Sequence, residues 1–149
     1  MINAQGRKLA GMIEDIMCYF GSQGEEEDCC GEKISAAEFR SLSATMRSDV
    51  CTMQDIARSA SVTKSGATRI IARLEEKGLV YREQNQRDGR ICCVSLTEEG
   101  KALFNRIEDR LTNKILAILA VMEPAIRDIL LISLDTFLQM AQKLANKKG

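Results

Sequence analysis

The sequence predicts a mainly α-helical fold with one small β-hairpin. Most of the 149 residues fall in segments whose apolar residues recur every three or four positions, the spacing of an amphipathic helix. Two short apolar runs, 79–82 and 91–96, flank the polar segment 85–89, which indicates two strands joined at a hairpin tip. The only proline, Pro124, stands where the last helical segment begins, a position at which proline is tolerated.

The composition is that of a globular protein. Hydrophobic residues make up 45% of the chain and charged residues 28%, with a formal net charge of zero, which suits one domain or two closely merged pieces around a real core. The longest unbroken apolar run, 115–122, is far shorter than the ~20 residues needed to span a bilayer. The first residues also lack the features of a secretory signal. We therefore expect a cytoplasmic protein without a membrane partner.

Several absences argue against an enzyme. The chain has no histidine, which removes the commonest general base and the commonest metal ligand. It has no glycine-rich phosphate-binding loop of the usual patterns. No pair of carboxylates suited to catalysis is recognised outside a loop, so no catalytic constellation is predicted.

The outer segments are predicted as helices. Residues 4–20 form an amphipathic helix, and 21–33, with three glycines and an acidic run, form a loop. Ser35 and Glu38 have the spacing of a capping box, which predicts a second helix to about Thr45. Two further helices are expected near the C-terminus, from about residue 97 to 122 and from Pro124 to about residue 144.

The central segment has a recognisable order of elements. Thr52 and Asp55 form a second capping box, which starts a short helix through about residue 59. A turn follows, and Thr63 then caps a third helix that ends at Gly78. A short helix, a turn, a second helix and a hairpin form the winged helix-turn-helix order.

Residues 51–100 closely resemble the MarR family of bacterial transcription regulators. The matching segments are TMQDIARSASVTKSGATRIIARLEEKGLVYRE and, after the hairpin tip, RDGRICCVSLTEEGKALF. The preceding ISAAEFRSL, at 34–42, fits the helix that comes before this motif in the family.

The resemblance implies a homodimer in which the N- and C-terminal helices of two subunits interleave. It also implies a repressor that binds double-stranded DNA at a palindromic operator and releases it in response to an effector. The predicted organisation is an N-terminal dimerisation helix with an acidic, cysteine-containing loop (1–33), a winged helix-turn-helix domain (34–100) and C-terminal dimerisation helices (101–149).

Local charge supports DNA binding, although the net charge is zero. From Arg58 to Arg90 eight basic residues stand against four acidic ones, a local charge of +4. A recognition helix enters the major groove with its N-terminal residues first, and Arg69 there can form a bidentate contact to guanine. The residues expected to contact DNA are Thr63, Lys64, Ser65, Thr68, Arg69 and Arg73 on the helix, and Arg87 and Arg90 in the wing. Alternatively, Arg69 and Arg73 form the solvated face of an ordinary amphipathic helix.

Wing residues carry two further expectations. Arg87, at the hairpin tip, is the candidate for the minor groove. The resemblance implies that Asp88 and Arg90, which match a D-x-R pattern of the family, stabilise the hairpin.

The six cysteines suggest an effector. Cys51, Cys92 and Cys93 stand where the family has apolar residues, so we expect small buried side chains. Cys92 and Cys93, as successive strand residues, are poorly placed to share a metal.

Cys29 and Cys30 follow four acidic residues in a polar loop, where nothing apolar explains them. Clustered carboxylates attract a cation, and a bound cation would deprotonate the thiols. Two thiolates do not complete a tetrahedral site, so further ligands must come from elsewhere. Cys18 is the nearest candidate, and Cys51, a glutamate of the acidic run or the thiols of the partner subunit are the others. These four residues form the predicted metal or redox site, and a soft metal ion is the only cofactor predicted.

Two alternatives remain open at this point. One is the same regulator with an apolar organic effector bound between its lobes. The other is a protein of a different class, a thiol-based metal or redox protein that uses the winged helix for protein contacts.

Overall fold

A computed structural model describes residues 1–20, 32–85 and 87–147. Cys29 and Cys30 therefore lie outside the described residues. The chain divides into two compact units, 1–111 and 112–149. The elements in chain order are α1 (Ile2–Phe20), α2 (Ala36–Met46), β1 (Cys51–Thr52), α3 (Met53–Ala60), α4 (Lys64–Glu76), β2 (Val80–Gln84), β3 (Cys92–Leu96), α5 (Glu98–Val121) and α6 (Pro124–Asn146). None of the described helices is long and apolar enough to cross a membrane.

The mainly α-helical fold with a small hairpin is confirmed, and the predicted helix starts are found. Both capping boxes are formed. The Ser35 hydroxyl accepts the N–H of Glu38, and Thr52 and Asp55 make the equivalent pair of bonds at the start of α3. Gly78, two residues after the end of α4, has φ +71°, a left-handed conformation that favours glycine. The chain leaves the helical path at this residue.

The sheet has one strand more than the sequence predicted. The order is β1-β3-β2, and both pairings are antiparallel. In β1, Cys51 pairs with Val94 and Thr52 with Cys93. A strand of two residues cannot show an alternating pattern, so only its pairing with β3 reveals it.

The core of the first unit lies between α2, α3, α4, the sheet and the first turns of α5. Leu42, Ile56, Ile71, Leu74 and Ile107 are fully buried there. The rings of Phe39 and Phe104 stack with centroids 5.5 Å apart on the edge of this core.

The first turn of α5 is fixed to the segment that follows α4. The Thr97 hydroxyl donates to the Gly78 carbonyl at 2.7 Å, and the Thr97 N–H donates to the Leu79 carbonyl at 3.1 Å. At Gly100 the two backbones are so close that a β-carbon would lie 2.0 Å from the Leu79 carbonyl oxygen. This position therefore requires glycine.

Two helices contribute no buried residue to the unit in which they lie. In the first unit α1 leaves the apolar stripe of Leu9, Ile13, Ile16 and Met17 exposed. In the second unit α6 has no buried residue, although it is rich in leucine and isoleucine. Exposed apolar surface on this scale marks a site of interaction.

Candidate nucleic-acid interface

The turn between α3 and α4 is held by local hydrogen bonds. Ser61 has φ 57° and ψ 44°, the left-handed conformation that reverses the chain, and the Val62 N–H donates to the Ala57 carbonyl at 2.9 Å. The Thr63 hydroxyl then accepts the N–H of Gly66 at 3.1 Å and caps α4. The two helices thus have a fixed relative orientation, as a helix-turn-helix requires.

Asp55 also stabilises this region, at the start of α3. Hydrogen bonds from the hydroxyl and the N–H of Thr52 hold the pKa of the Asp55 carboxyl below its usual range. The carboxylate therefore stays charged at the N-terminus of α3, where the helix dipole favours an anion.

Helix α4 has one buried and one exposed face, as predicted. Ala67, Ile70, Ile71 and Leu74 are buried against the core. On the other side the sequence-predicted contact residues are exposed: Thr63, Lys64, Ser65, Thr68 and Arg69. The Thr68 hydroxyl donates to the Lys64 carbonyl at 3.0 Å, whereas the side chains of Lys64 and Arg69 form no hydrogen bond or ion pair with the described residues.

The eight basic residues of this region fall into two groups. Four of them form ion pairs: Arg58 with Asp55, Arg73 and Lys77 with Glu38, and Arg82 with Glu75. Within the described part of the chain, the other four side chains form no ion pair: Lys64, Arg69, Arg87 and Arg90. These four belong to the predicted contact residues, so the structure leaves cations at the start of α4 and in the wing available for phosphate.

Glu38, which the sequence predicted only as a capping-box residue of α2, also pairs with two cations of α4 and its C-terminal end. Its side chain is fully buried, and its carboxylate lies 3.1 Å from Lys77 Nζ and 3.6 Å from Arg73 Nε. The guanidinium of Arg73, a predicted DNA contact, is thus near an acidic group on α2. No sequence signal marks this pairing, because the partners lie more than thirty residues apart.

The wing is stabilised through its backbone. The side-chain oxygen of Asn85 accepts the N–H groups of Arg87 and Asp88 at 2.8 and 3.3 Å. Asp88 Oδ1 accepts the N–H of Arg90 at 3.0 Å. Asp88 and Arg90, the predicted pair, are therefore in contact through the main chain of Arg90. The role of the Asn85 side chain in holding the hairpin tip was not predicted.

One ion pair connects the wing to the recognition helix. Arg82 Nε on β2 lies 3.1 Å from the Glu75 carboxylate on α4, and both side chains are about one third exposed. The orientation of the wing is thereby coupled to the helix that would enter the major groove.

The cysteines differ in accessibility. Cys51 and Cys93 are buried, as predicted, but Cys92 is exposed, which corrects the expectation for that residue. It faces away from the core because successive strand residues point to opposite sides. Burial raises the pKa of the Cys51 thiol, so this residue stays a neutral thiol at physiological pH. Cys18 is exposed on α1, and the described residues contain no group of three or more potential metal ligands among His, Cys, Asp and Glu.

Comparison with known proteins finds a family that resembles this arrangement. The sequence model of the MarR family matches residues 33–91, the segment that contains α2, the helix-turn-helix and most of the wing. This part of the chain is similar to the MarR family. The family and its matched relatives are transcriptional regulators and not enzymes, which agrees with the prediction from the missing catalytic residues.

Individual MarR-type relatives match the chain to different extents. The homoprotocatechuate degradative operon repressor of Escherichia coli is 31% identical over 78 residues, which cover 52% of this chain and 53% of the repressor. The chain therefore spans about half the length of the curated relatives it matches. The transcriptional regulator BldR of Sulfolobus solfataricus is 26% identical, with a TM-score of 0.60 over 93% of this chain and 92% of BldR.

A solved structure with DNA has the same fold. FabT of Streptococcus pneumoniae, crystallised in complex with DNA, superposes with a TM-score of 0.75 over 97% of this chain and 99% of FabT. At 17% identity this likeness shows the fold that the chain shares with FabT and nothing about its ligands.

Proposed function

We propose that the protein is a homodimeric, sequence-specific DNA-binding transcription regulator that acts as a repressor and responds to an effector. The observation that carries this proposal is a set of cations at the start of α4 and in the wing that form no ion pair with any described residue. They are displayed by a helix-turn-helix whose turn and caps are fixed by hydrogen bonds. The match of residues 33–91 to the MarR family model supports the same conclusion.

Each side chain has a role in the proposed complex. Lys64, Ser65, Thr68 and Arg69 face the major groove, and Arg69 reads a guanine through its guanidinium. Arg87 enters the adjacent minor groove, and Thr63 and Arg90 contact phosphate. Arg73 was predicted among these contacts, but its ion pair with Glu38 gives it a different role, argued below.

The proposed dimer uses the exposed apolar residues of α1 and α6. Neither helix has a buried residue in the single chain. A second copy of the chain has the same apolar surfaces and could cover them in a symmetric dimer. In a two-fold dimer the two recognition helices would read half-sites about one helical turn apart, hence a palindromic operator.

The decisive experiment is a binding titration of the reduced protein followed by fluorescence anisotropy. The probes are the DNA upstream of its own gene and duplexes selected by the protein from a random pool, each against a scrambled duplex of equal length. We expect a preferred palindromic site and an affinity that falls steeply with salt. Equal affinity for selected and scrambled duplexes would contradict the proposal and favour the alternative thiol-based protein, in which the winged helix contacts another protein.

We propose that the effector is a soft metal ion or an oxidant that reacts with cysteine thiols. Cys18 is accessible on α1 and Cys51 is enclosed as a neutral thiol, so the soft metal or oxidant would act on Cys18 with Cys29 and Cys30. The test adds zinc or hydrogen peroxide to the DNA complex of the wild type and of a Cys29→Ser, Cys30→Ser double variant. Release of DNA from the wild type only is the expected result.

Two other outcomes separate the effector from the regulator. If both proteins release DNA equally, Cys29 and Cys30 are not the sensor. If neither responds while both bind the operator, the effector is of another kind, and the apolar organic ligand becomes the leading hypothesis.

A further inference from the structure

Glu38 combines two features that its capping role alone does not explain. Its carboxylate is completely buried, and both oxygens lie 3.1 Å from Lys77 Nζ on the segment that ends the recognition helix. Burial of a carboxylate is costly unless it is paired and hydrogen-bonded. Here the pairing comes from α4, so α2 and the recognition helix are joined by charge as well as by apolar contact.

The partners of Glu38 are accessible. The side chain of Arg73 is 48% exposed and that of Lys77 is 32% exposed, while Glu38 is 0% exposed. Lys77 Nζ also donates to the Lys33 carbonyl at 3.1 Å. Without the acid, both cations would lose the ion pair that holds them against α2, and their exposed side chains would be more strongly attracted to a polyanion.

Arg73 lies one helical turn after Arg69. Residues four positions apart share a face of a helix, so Arg73 is within reach of the backbone of a duplex that Arg69 contacts. A cation at this place strengthens binding to any phosphate backbone, whatever its sequence. The ratio of specific to non-specific affinity is therefore higher when Arg73 is paired with Glu38 and does not contact phosphate.

We propose that Glu38 is a positioning residue that sets the specificity of DNA binding. Its buried carboxylate keeps Arg73 and Lys77 paired, so that the recognition helix contacts DNA through its N-terminal residues and the specific contacts outweigh the sequence-independent ones. This inference rests on the proposed DNA-binding function and names the residue that controls its selectivity.

The test measures the salt dependence of binding to a scrambled duplex, with the protein as a full chain. Glu38→Gln is the informative variant, because glutamine at this position can still complete the capping box but cannot hold the cations. Each cation that gains a phosphate steepens the slope of log K against log salt by about 0.9, so we expect the slope to steepen by about 0.9 to 1.8. Non-specific affinity at 0.1 M salt should rise about five- to tenfold for each gained contact, and the ratio of specific to non-specific affinity should fall accordingly.

Two control variants distinguish this role from a merely structural one. Glu98→Gln makes the same change in net charge and releases Lys101, which lies on α5 and not on α4, so its slope should equal that of the wild type. Arg73→Gln should leave the slope unchanged in the wild type and should return the Glu38→Gln slope toward the wild-type value. A fold-disrupting effect would show no such rescue.

Each outcome decides something. An unchanged slope in Glu38→Gln overturns the inference, as does a shallower slope in Arg73→Gln alone, which would show that Arg73 already contacts phosphate. If Glu38→Gln does not fold by circular dichroism, the Arg73→Gln variant alone decides. A wild type without a preferred sequence contradicts the proposed function itself, whereas a preferred sequence with an unchanged Glu38→Gln slope contradicts only the role of Glu38.

Discussion

At the scale of single residues, function and stability depend on side chains with different surroundings. Arg69 is exposed and has no ion pair among the described residues, so it is available to a ligand. Gly100 lies where two backbone segments meet and has no room for a side chain. The first residue is expected to matter for binding alone and the second for folding alone.

Arg69→Ala should lose specific DNA binding. A bidentate arginine–guanine contact contributes about 1–3 kcal/mol of discrimination, so preference for the selected site should fall about tenfold to a hundredfold. Anisotropy titrations on the selected and scrambled duplexes measure this ratio. Arg7→Ala, an exposed arginine on α1, is the control and should keep the ratio. Unchanged affinity and base preference in Arg69→Ala would remove this residue from the interface.

Gly100→Ala should destabilise the protein by about 2–3 kcal/mol, because the new β-carbon forces the start of α5 away from the Leu79 carbonyl. Urea unfolding followed by circular dichroism gives the free energy of unfolding. Gly11→Ala is the matched control, since nothing lies within 4 Å of a β-carbon there. That variant should be unchanged or more stable by up to about 1 kcal/mol. Equal stability of the two variants would show that the close approach is not maintained in solution.

At the scale of elements, helix ends decide where the interface begins. The Thr63 cap fixes the first turn of α4, from which the predicted base contacts extend. The Glu75–Arg82 pair and the Asn85 hydrogen bonds do the same for the wing. The proposed DNA-contacting surface therefore depends on short-range hydrogen bonds and ion pairs in segments that pack on the core.

Thr63→Ala should lower the free energy of unfolding by about 1 kcal/mol, because the Gly66 N–H loses its acceptor. Thr63→Ser retains a hydroxyl that can accept the same bond and should stay close to the wild type. The midpoints of urea unfolding compare the three proteins. If both variants lose the same stability, the capping hydrogen bond is not what stabilises this helix start.

At the scale of the whole molecule, exposed apolar helices point to self-association. Leu138, on α6, is 56% exposed, and its neighbours on that helix are similarly exposed. A chain with such surface is expected to bury it in a dimer. The dimer would also set the spacing of the two recognition helices, and thus the spacing of the half-sites.

Leu138→Glu should weaken the dimer at least about a hundredfold, because a charge without a partner would be buried at its interface. Sedimentation velocity over a range of protein concentrations measures the dissociation constant. Gln142→Glu places the same charge at a polar position of α6 and should remain dimeric. A wild type that sediments as a monomer would contradict the proposed dimer, and a Leu138→Glu variant as tight as the wild type would place the interface elsewhere.

The sequence by itself predicted the helices, the hairpin and the exposed face of α4 that is proposed to read DNA. The apolar spacing of Ala67, Ile70, Ile71 and Leu74 and the caps at Ser35, Thr52 and Thr63 are encoded within a few residues, so local patterns reveal them. The resemblance in the central segment then pointed to the MarR family, whose sequence model matches residues 33–91. Residues 21–31 carry the predicted Cys29 and Cys30 site, which stays a prediction.

Only the tertiary structure decided which of the predicted contact residues are available. The pairing of Glu38 with Lys77 joins residues 39 positions apart, and β1 exists only through its pairing with β3. The exposure of Cys92 and the requirement for glycine at 100 likewise depend on which segments meet. Local propensity carries no information on such contacts, because they form only when distant parts of the chain bury a common core and bring their charges and backbones together.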